Sequence, residues 1–253
     1  MTGYGILLGK ELLEQWRTRR LLVVAIVFAA FGLGSPLLAR YTPELVAALA
    51  GTEFEIEIAP PTIADSIAQI LRNLGQTGVL AAILLAMGSV ASEKERGTAA
   101  LLLTKPASRA AFLIAKATGL LAILAVGVVL GTVAGYIYTV LLFDTPDAVG
   151  YAGMAFLLLL QLAAYAAITF LGSTLTRSAV AAAAAGVGAL VLIAIVAVLP
   201  TIGDFTPGTL LEPAAAWALG DTADDAWRPI VGTLALIGLA IGASLVSFRR
   251  QEL

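Results

Sequence analysis

Six stretches of the chain carry no charged side chain: residues 21–39, 73–92, 117–143, 148–176, 178–203 and 229–248. Each is long enough for a helix to cross a hydrocarbon core, which is about 30 Å thick and takes about 20 residues. Backbone polar groups in lipid must be paired within their own segment, so helices are the expected form. The stretches are rich in Leu, Ala, Val and Gly and lack the alternation of a membrane β-barrel. The pattern predicts an all-α polytopic membrane protein with six transmembrane helices. A single stretch of this kind could be a buried helix of a soluble core; six in 253 residues argue against that. A different period lies upstream. Over residues 5–18, Lys10, Glu11, Glu14, Gln15, Arg17 and Thr18 share one helical arc. Ile6, Leu8, Leu12, Leu13 and Trp16 share the other, with Leu7 the exception. This predicts an N-terminal amphipathic interface helix with Trp16 at headgroup level. The first apolar stretch starts only at Leu21 and ends in Leu38-Ala39-Arg40 without a small-x-small cleavage site, as expected of a retained anchor.

Composition agrees: 60% of residues are hydrophobic, 13% are charged, and the mean hydropathy is +0.96. An ordinary soluble domain is nearer half apolar and a quarter charged, and a disordered chain is more polar still. There is no His and no Cys. That excludes Ser-His-Asp and Cys-His nucleophiles, thiolate or imidazole metal sites, and disulfides. No catalytic, cofactor-binding or metal-binding residue is therefore assigned. No nucleic-acid partner is expected.

The net charge of −2 hides an asymmetry. Twelve of the 15 basic residues fall in residues 1–20 and 93–116, at Arg177, or in 249–253. The opposite connections hold only Arg40, Arg72 and Arg228. By the positive-inside rule both termini are cytoplasmic and the chain is a multi-pass protein of the cell membrane. Twelve of the 17 acidic residues fall on the outer side, either to attract cations or simply as a solvated surface.

The connection between the second and third stretches runs Glu93-Lys94-Glu95-Arg96-Gly97-Thr98, then a leucine run, then Lys105-Pro106-Ala107-Ser108-Arg109. Gly97 should end the preceding helix. Residues 98–103 can form a short apolar helix stopped by Pro106. Ser108 is a candidate N-cap for the next helix. An apolar run between two charged clusters needs a partner surface or the membrane to cover it. Glu93 and Glu95 lie at a helix C-terminus, where the macrodipole disfavours carboxylates; Lys94 and Arg96 can compensate.

This loop resembles that of type-2 ATP-binding-cassette (ABC) transporter permeases. The likeness is carried by Glu93, Glu95, Arg96, Gly97, Thr98, Leu101, Leu102, Leu103, Pro106, Ser108, Arg109 and Lys116. The amphipathic entry helix, the six spans and the Phe248-Arg249-Arg250 tail extend it over nearly the whole chain. Within that family the chain is similar to permeases of copper-enzyme (nitrous-oxide reductase) maturation. The resemblance implies a single transmembrane domain over 1–253, with 1–20 as the cytoplasmic amphipathic helix and 93–116 as the cytoplasmic coupling loop. Residues 40–72 and 204–228 are then the extracytoplasmic segments. It further implies an exporter, half of a dimeric transmembrane unit formed with a second permease protomer as a homodimer. A pair of separate ATPase subunits, which bind ATP and Mg, would drive it. No Gly-x4-Gly-Lys-Ser/Thr loop occurs in this chain, so ATPase activity is expected only in the partner. The coupling residues implied are Glu93, Glu95, Arg96, Gly97, Leu101, Leu102, Leu103, Pro106 and Arg109, which would pass movement into spans one and two.

The most polar lines within the spans are Gln161, Tyr165 and Thr169 on one helix and Thr132, Tyr136 and Thr139 on another. Two readings stay open: lining a passage, or bonding a neighbouring helix or a backbone carbonyl. Gly127, Gly131 and Gly135, and again Gly238 and Gly242, lie four apart on a helix face and allow close approach, within the chain or between protomers. Residues 53–58 alternate Glu with apolar residues at strand period, and a short helix is expected from Thr62 to Arg72. For residues 204–228 the resemblance implies short re-entrant helices, which the apolar Leu210, Leu211 and Trp217 suit, as a lid, a gate or a dock for an extracytoplasmic partner. No Asp, Glu, Lys or Arg lies within a stretch, so there is no proton-relay signature. The alternative classes are an ATP-independent scaffold or channel subunit, and a membrane enzyme, for which no paired carboxylates or catalytic motif appear inside a span. Ala, Val and Gly enrichment with acidic outer loops points to a prokaryote.

Overall fold

The computed structural model describes residues 3–50, 59–97 and 108–251. Among these residues there are nine α-helices and no strand. They are α1 (Tyr4–Arg17), α2 (Arg20–Ala50), α3 (Ile63–Met87), α4 (Ala91–Glu95), α5 (Arg109–Leu142), α6 (Ala148–Leu175), α7 (Ala179–Ala197), α8 (Leu211–Ala218) and α9 (Trp227–Arg250). Six candidate spans result: α2, α3 with α4, α5, α6, α7 and α9. The leucine run, Thr98 and Pro106 lie outside the described residues, as does the alternating run 53–58.

The spans overrun their apolar stretches. α2 continues past Arg40 and Pro43 to Ala50. α3 begins at Ile63, so the short helix expected from Thr62 to Arg72 is the opening part of span two. Its start is fixed by Asp65, whose carboxylate accepts from the Thr62 amide (2.7 Å) and hydroxyl (2.8 Å). α7 stops at Ala197, just ahead of Pro200, earlier than the apolar stretch to residue 203. Side-chain caps start other helices: Ser108 accepts from the Ala111 amide, Asp147 from Gly150 and Ser178 from Ala181.

α6 is the central helix; 67% of its most apolar window is buried, against 11% for α7 and 17% for α9. α3, α5, α7, α8 and α9 pack around it. α2 and α5 run side by side along a glycine seam. A Cβ on Gly32 would overlap the Gly131 carbonyl; one on Gly127 would lie 2.7 Å from a Val24 methyl, and one on Gly131 2.9 Å from the Phe28 carbonyl oxygen. Large side chains at these positions would force the helices apart. Gly238 and Gly242 differ: a Cβ there meets nothing of the described chain within 4 Å.

At the end of the bundle remote from the termini, two 3-10 turns (Gly203–Phe205 and Pro207–Leu210) lead into α8. Trp217 of α8 seats against Gly150 and Gly153 of α6. Gly220, at φ 85°, ends α8 by returning its amide to the Trp217 carbonyl. Arg228 bonds Asp204 at 3.0 Å and Asp225 at 3.2 Å, tying the turns to the start of α9.

Candidate functional site

Side-chain bonds from several helices gather at the two flanks of segment 98–107. Span two breaks at residues 88–90, and the freed Val90 and Ala91 amides both donate to the Ser173 hydroxyl near the end of α6 (3.1 and 2.9 Å). This starts α4, which ends at Glu95; Gly97 follows in the left-handed region at φ 69°. On α4, Lys94 donates to the Thr174 carbonyl (2.7 Å) and to Gln251 Oε1 (2.9 Å), and Gln251 Nε2 returns to the same Thr174 carbonyl (2.9 Å). On the other flank, Arg109 Nη1 reaches the carbonyls of Phe248, Arg249 and Gln251 at 3.4, 3.1 and 2.8 Å. These are orphan carbonyls at a helix C-terminus, where a cation also complements the macrodipole. Below them the Phe112 and Phe248 rings stack at 5.7 Å.

Behind α4 lies an ionic cluster. Lys116 of α5, with a side chain only 4% exposed, bonds Glu93 at 2.8 Å and Glu11 of α1 at 3.1 Å. Lys10 adds contacts of 3.6 Å to Glu93 and 3.8 Å to both Glu11 and Glu14. Glu93 thus receives compensating charge from α5 and α1. The cluster faces a cavity of about 290 Å³, with Arg20 and Arg96 also in its lining. Glu11, Glu14 and Glu93 have carboxylate oxygens within 4.8 Å of one another, but lysine ammonium groups already sit on them. Glu95, Arg96 and Gly97 are exposed. α1 turns its polar side to this cluster and leaves Ile6, Leu13 and Trp16 exposed.

Of the coupling residues named from the sequence, Glu93, Glu95, Arg96, Gly97 and Arg109 come together at this end of the bundle, whereas Leu101, Leu102, Leu103 and Pro106 lie outside the described residues. Lys94, Ser173, Gln251, Lys10 and Glu11 were not singled out there as members of one network. Only Lys116, at the mouth of a charge-free stretch, carried a signal. The bonds run to α1, α5, α6 and α9, a wider set than spans one and two.

The polar span residues separate into two clefts. Gln161 and Tyr165 line one between α3, α6 and α8; Thr132 and Tyr136 line another between α5 and α6. Thr169 and Thr132 donate to backbone carbonyls one turn earlier, and Thr139 bonds Ser66 at 2.8 Å. Tyr136 meets Tyr151 edge-on at 5.1 Å.

This architecture is that of a polytopic all-helical membrane protein, and comparison with known proteins gives its family. The model of a family described as "ABC-2 family transporter protein" matches residues 6–253. The chain belongs to the ABC-2 transporter family and is a multi-pass membrane permease subunit, not itself catalytic. It is 29% identical over 251 residues, 97% of each chain, to a Bacillus subtilis (strain 168) protein called uncharacterized transmembrane protein YxlG.

Proposed function

We propose that this chain is the membrane half of an ATP-driven exporter, coupled through segment 93–109 to a separate pair of ATPase subunits that bind ATP and Mg. The observation that carries the reading is the double anchoring of that segment. Lys94 and Glu93 on one side and Arg109 on the other are bonded to α1, to α5 and to the ends of α6 and α9. A push on the intervening residues is therefore delivered to α1, α5, α6 and α9 together. Exposed Glu95 and Arg96 and the leucine run offer the docking face. The basic end is cytoplasmic on the positive-inside rule, which puts both termini inside and α8 outside. A second copy of the chain completes the transmembrane unit as a homodimer. The little-buried α7 and the open faces of Gly238 and Gly242 on α9 are surfaces for lipid or for that copy. The Bacillus relative supports a prokaryotic plasma membrane. The likeness to copper-enzyme maturation permeases is our finer reading, with an extracytoplasmic partner meeting the α8 end.

The test is ATPase activity of the reconstituted complex. Arg96→Ala and Leu102→Ala should each lower permease-stimulated hydrolysis by roughly tenfold, the equivalent of about 1.4 kcal/mol of coupling, while membrane insertion and yield stay unchanged. Stimulation equal to wild type in both would refute the assignment of this segment.

A further inference from the structure

The cleft between α3, α6 and α8 has a volume of about 720 Å³, within the range of about 300–1,000 Å³ typical of small-molecule sites. Its walls are apolar, formed by Leu71, Val79, Leu80, Leu190, Leu211 and Ala215. Gln161 interrupts them. The residue is 6% exposed, and its amide oxygen has no hydrogen-bond partner in the described chain. A buried acceptor left unpaired is costly, so a helix that keeps one facing a cleft gains from any donor that enters. Gly75 stands opposite: a Cβ there would sit 3.8 Å from Gln161 Oε1 and 3.5 Å from a Leu211 methyl. The missing side chain leaves the acceptor open to the cavity. Charged groups stay at the mouth, where Arg72 and Glu212 are exposed.

We infer that this cleft binds the apolar body of an uncharged amphiphile whose O–H or N–H group donates to Gln161 Oε1. An anion would have to leave Arg72 at the exposed mouth and give up its water to apolar walls. A cation would lose its water against apolar walls whose one carboxylate, Glu212, stays at the exposed mouth. The cleft opens in the half of the bundle nearer α8. On the orientation proposed above this is the outer leaflet; that the amphiphile is the permease's cargo rests on that reading, whereas binding itself does not.

The experiment uses the full chain, without ATPase, in phosphatidylcholine nanodiscs. The probes are a long-chain alcohol carrying a mid-chain diazirine and its methyl ether, which lacks the donor. After photolysis, mass spectrometry locates the labels. The alcohol should label α3 and α8 peptides roughly three- to tenfold more than the ether, the span of one net hydrogen bond. Gln161→Leu should bring the two probes to parity, and Gly75→Leu should remove both labels from the cleft. Gly75→Ala, whose Cβ meets only ordinary contacts, controls for folding. Equal labelling by alcohol and ether in the wild-type chain overturns the proposal whatever the variants do. So does labelling spread evenly over the exposed faces of α2, α5 and α7, or an unlabelled cleft, which would assign it to a second copy of the chain. With no ATPase present, failure here leaves the coupled-permease reading standing, and loss of coupling leaves this binding result intact.

Discussion

Lys116 sits where a lysine is expensive: on a membrane-spanning helix, its side chain 4% exposed, with two carboxylates as the compensation. Removing one partner of a buried pair strands the other, a larger effect than the pair's own net worth. Lys116→Met should cost about 3 kcal/mol and lower the melting temperature of the detergent-purified chain. Adding Glu11→Gln and Glu93→Gln should restore most of the loss, because no stranded charge then remains. Lys10→Ala, at an ammonium 41% exposed, should cost less than about 1 kcal/mol. A triple variant no more stable than Lys116→Met alone would contradict the compensation argument. At this scale the sequence was partly legible. Glu93 and Lys116 stood out by their places beside apolar stretches, and Ser108 and Gly97 by their residue types at a helix start and end. The Glu11 partner did not, since it lies 105 residues from Lys116 and no local pattern pairs them. For the same reason no local pattern shows that Arg109, named from the sequence as a coupling residue, directs Nη1 to the carbonyls at the end of α9.

Between elements, the decisive contact is the glycine seam of α2 and α5. Gly131→Ala pushes a methyl to 2.9 Å from the Phe28 carbonyl, a backbone atom that moves only with its helix. It should cost about 1–3 kcal/mol, the usual penalty of overpacking. Gly238→Ala meets nothing, and should be neutral or stabilise by up to about 1 kcal/mol through helix propensity. Unfolding of the two variants in mixed detergent micelles measures the contrast; equal destabilisation would show that Gly238 is buried by a partner. Spacing alone could not separate these glycines, because it marks a smooth face without saying what lies against it. The same limit explains the polar lines. Gln161 and Tyr165 share a cleft, while Thr132 and Tyr136 open on another, and only the packing of α6 between α3 and α5 decides that. The number of spans was legible because charge is excluded from a hydrocarbon layer. Their ends were not, since a helix continues into water wherever caps such as Thr62 with Asp65 allow it.

For the whole molecule, the basic and acidic connections separate to opposite ends of one bundle, and orientation follows from which end faces the cytoplasm. The chain has no cysteine, so a single one reports cleanly. Asp224→Cys should react with a membrane-impermeant maleimide in intact cells, and Arg250→Cys only after permeabilisation. The reverse pattern would invert the topology and put segment 93–109 beyond the reach of a cytoplasmic ATPase. The central claim, that this permease works with a separate ATPase, is tested most directly by affinity purification of the tagged chain from gently solubilised native membranes, followed by mass spectrometry. A stoichiometric soluble ATPase bearing a phosphate-binding loop is the result expected, lost when Arg96 and the leucine run are replaced together. A monodisperse permease recovered without any such ATPase, in several detergents, would contradict it and favour an ATP-independent scaffold or channel.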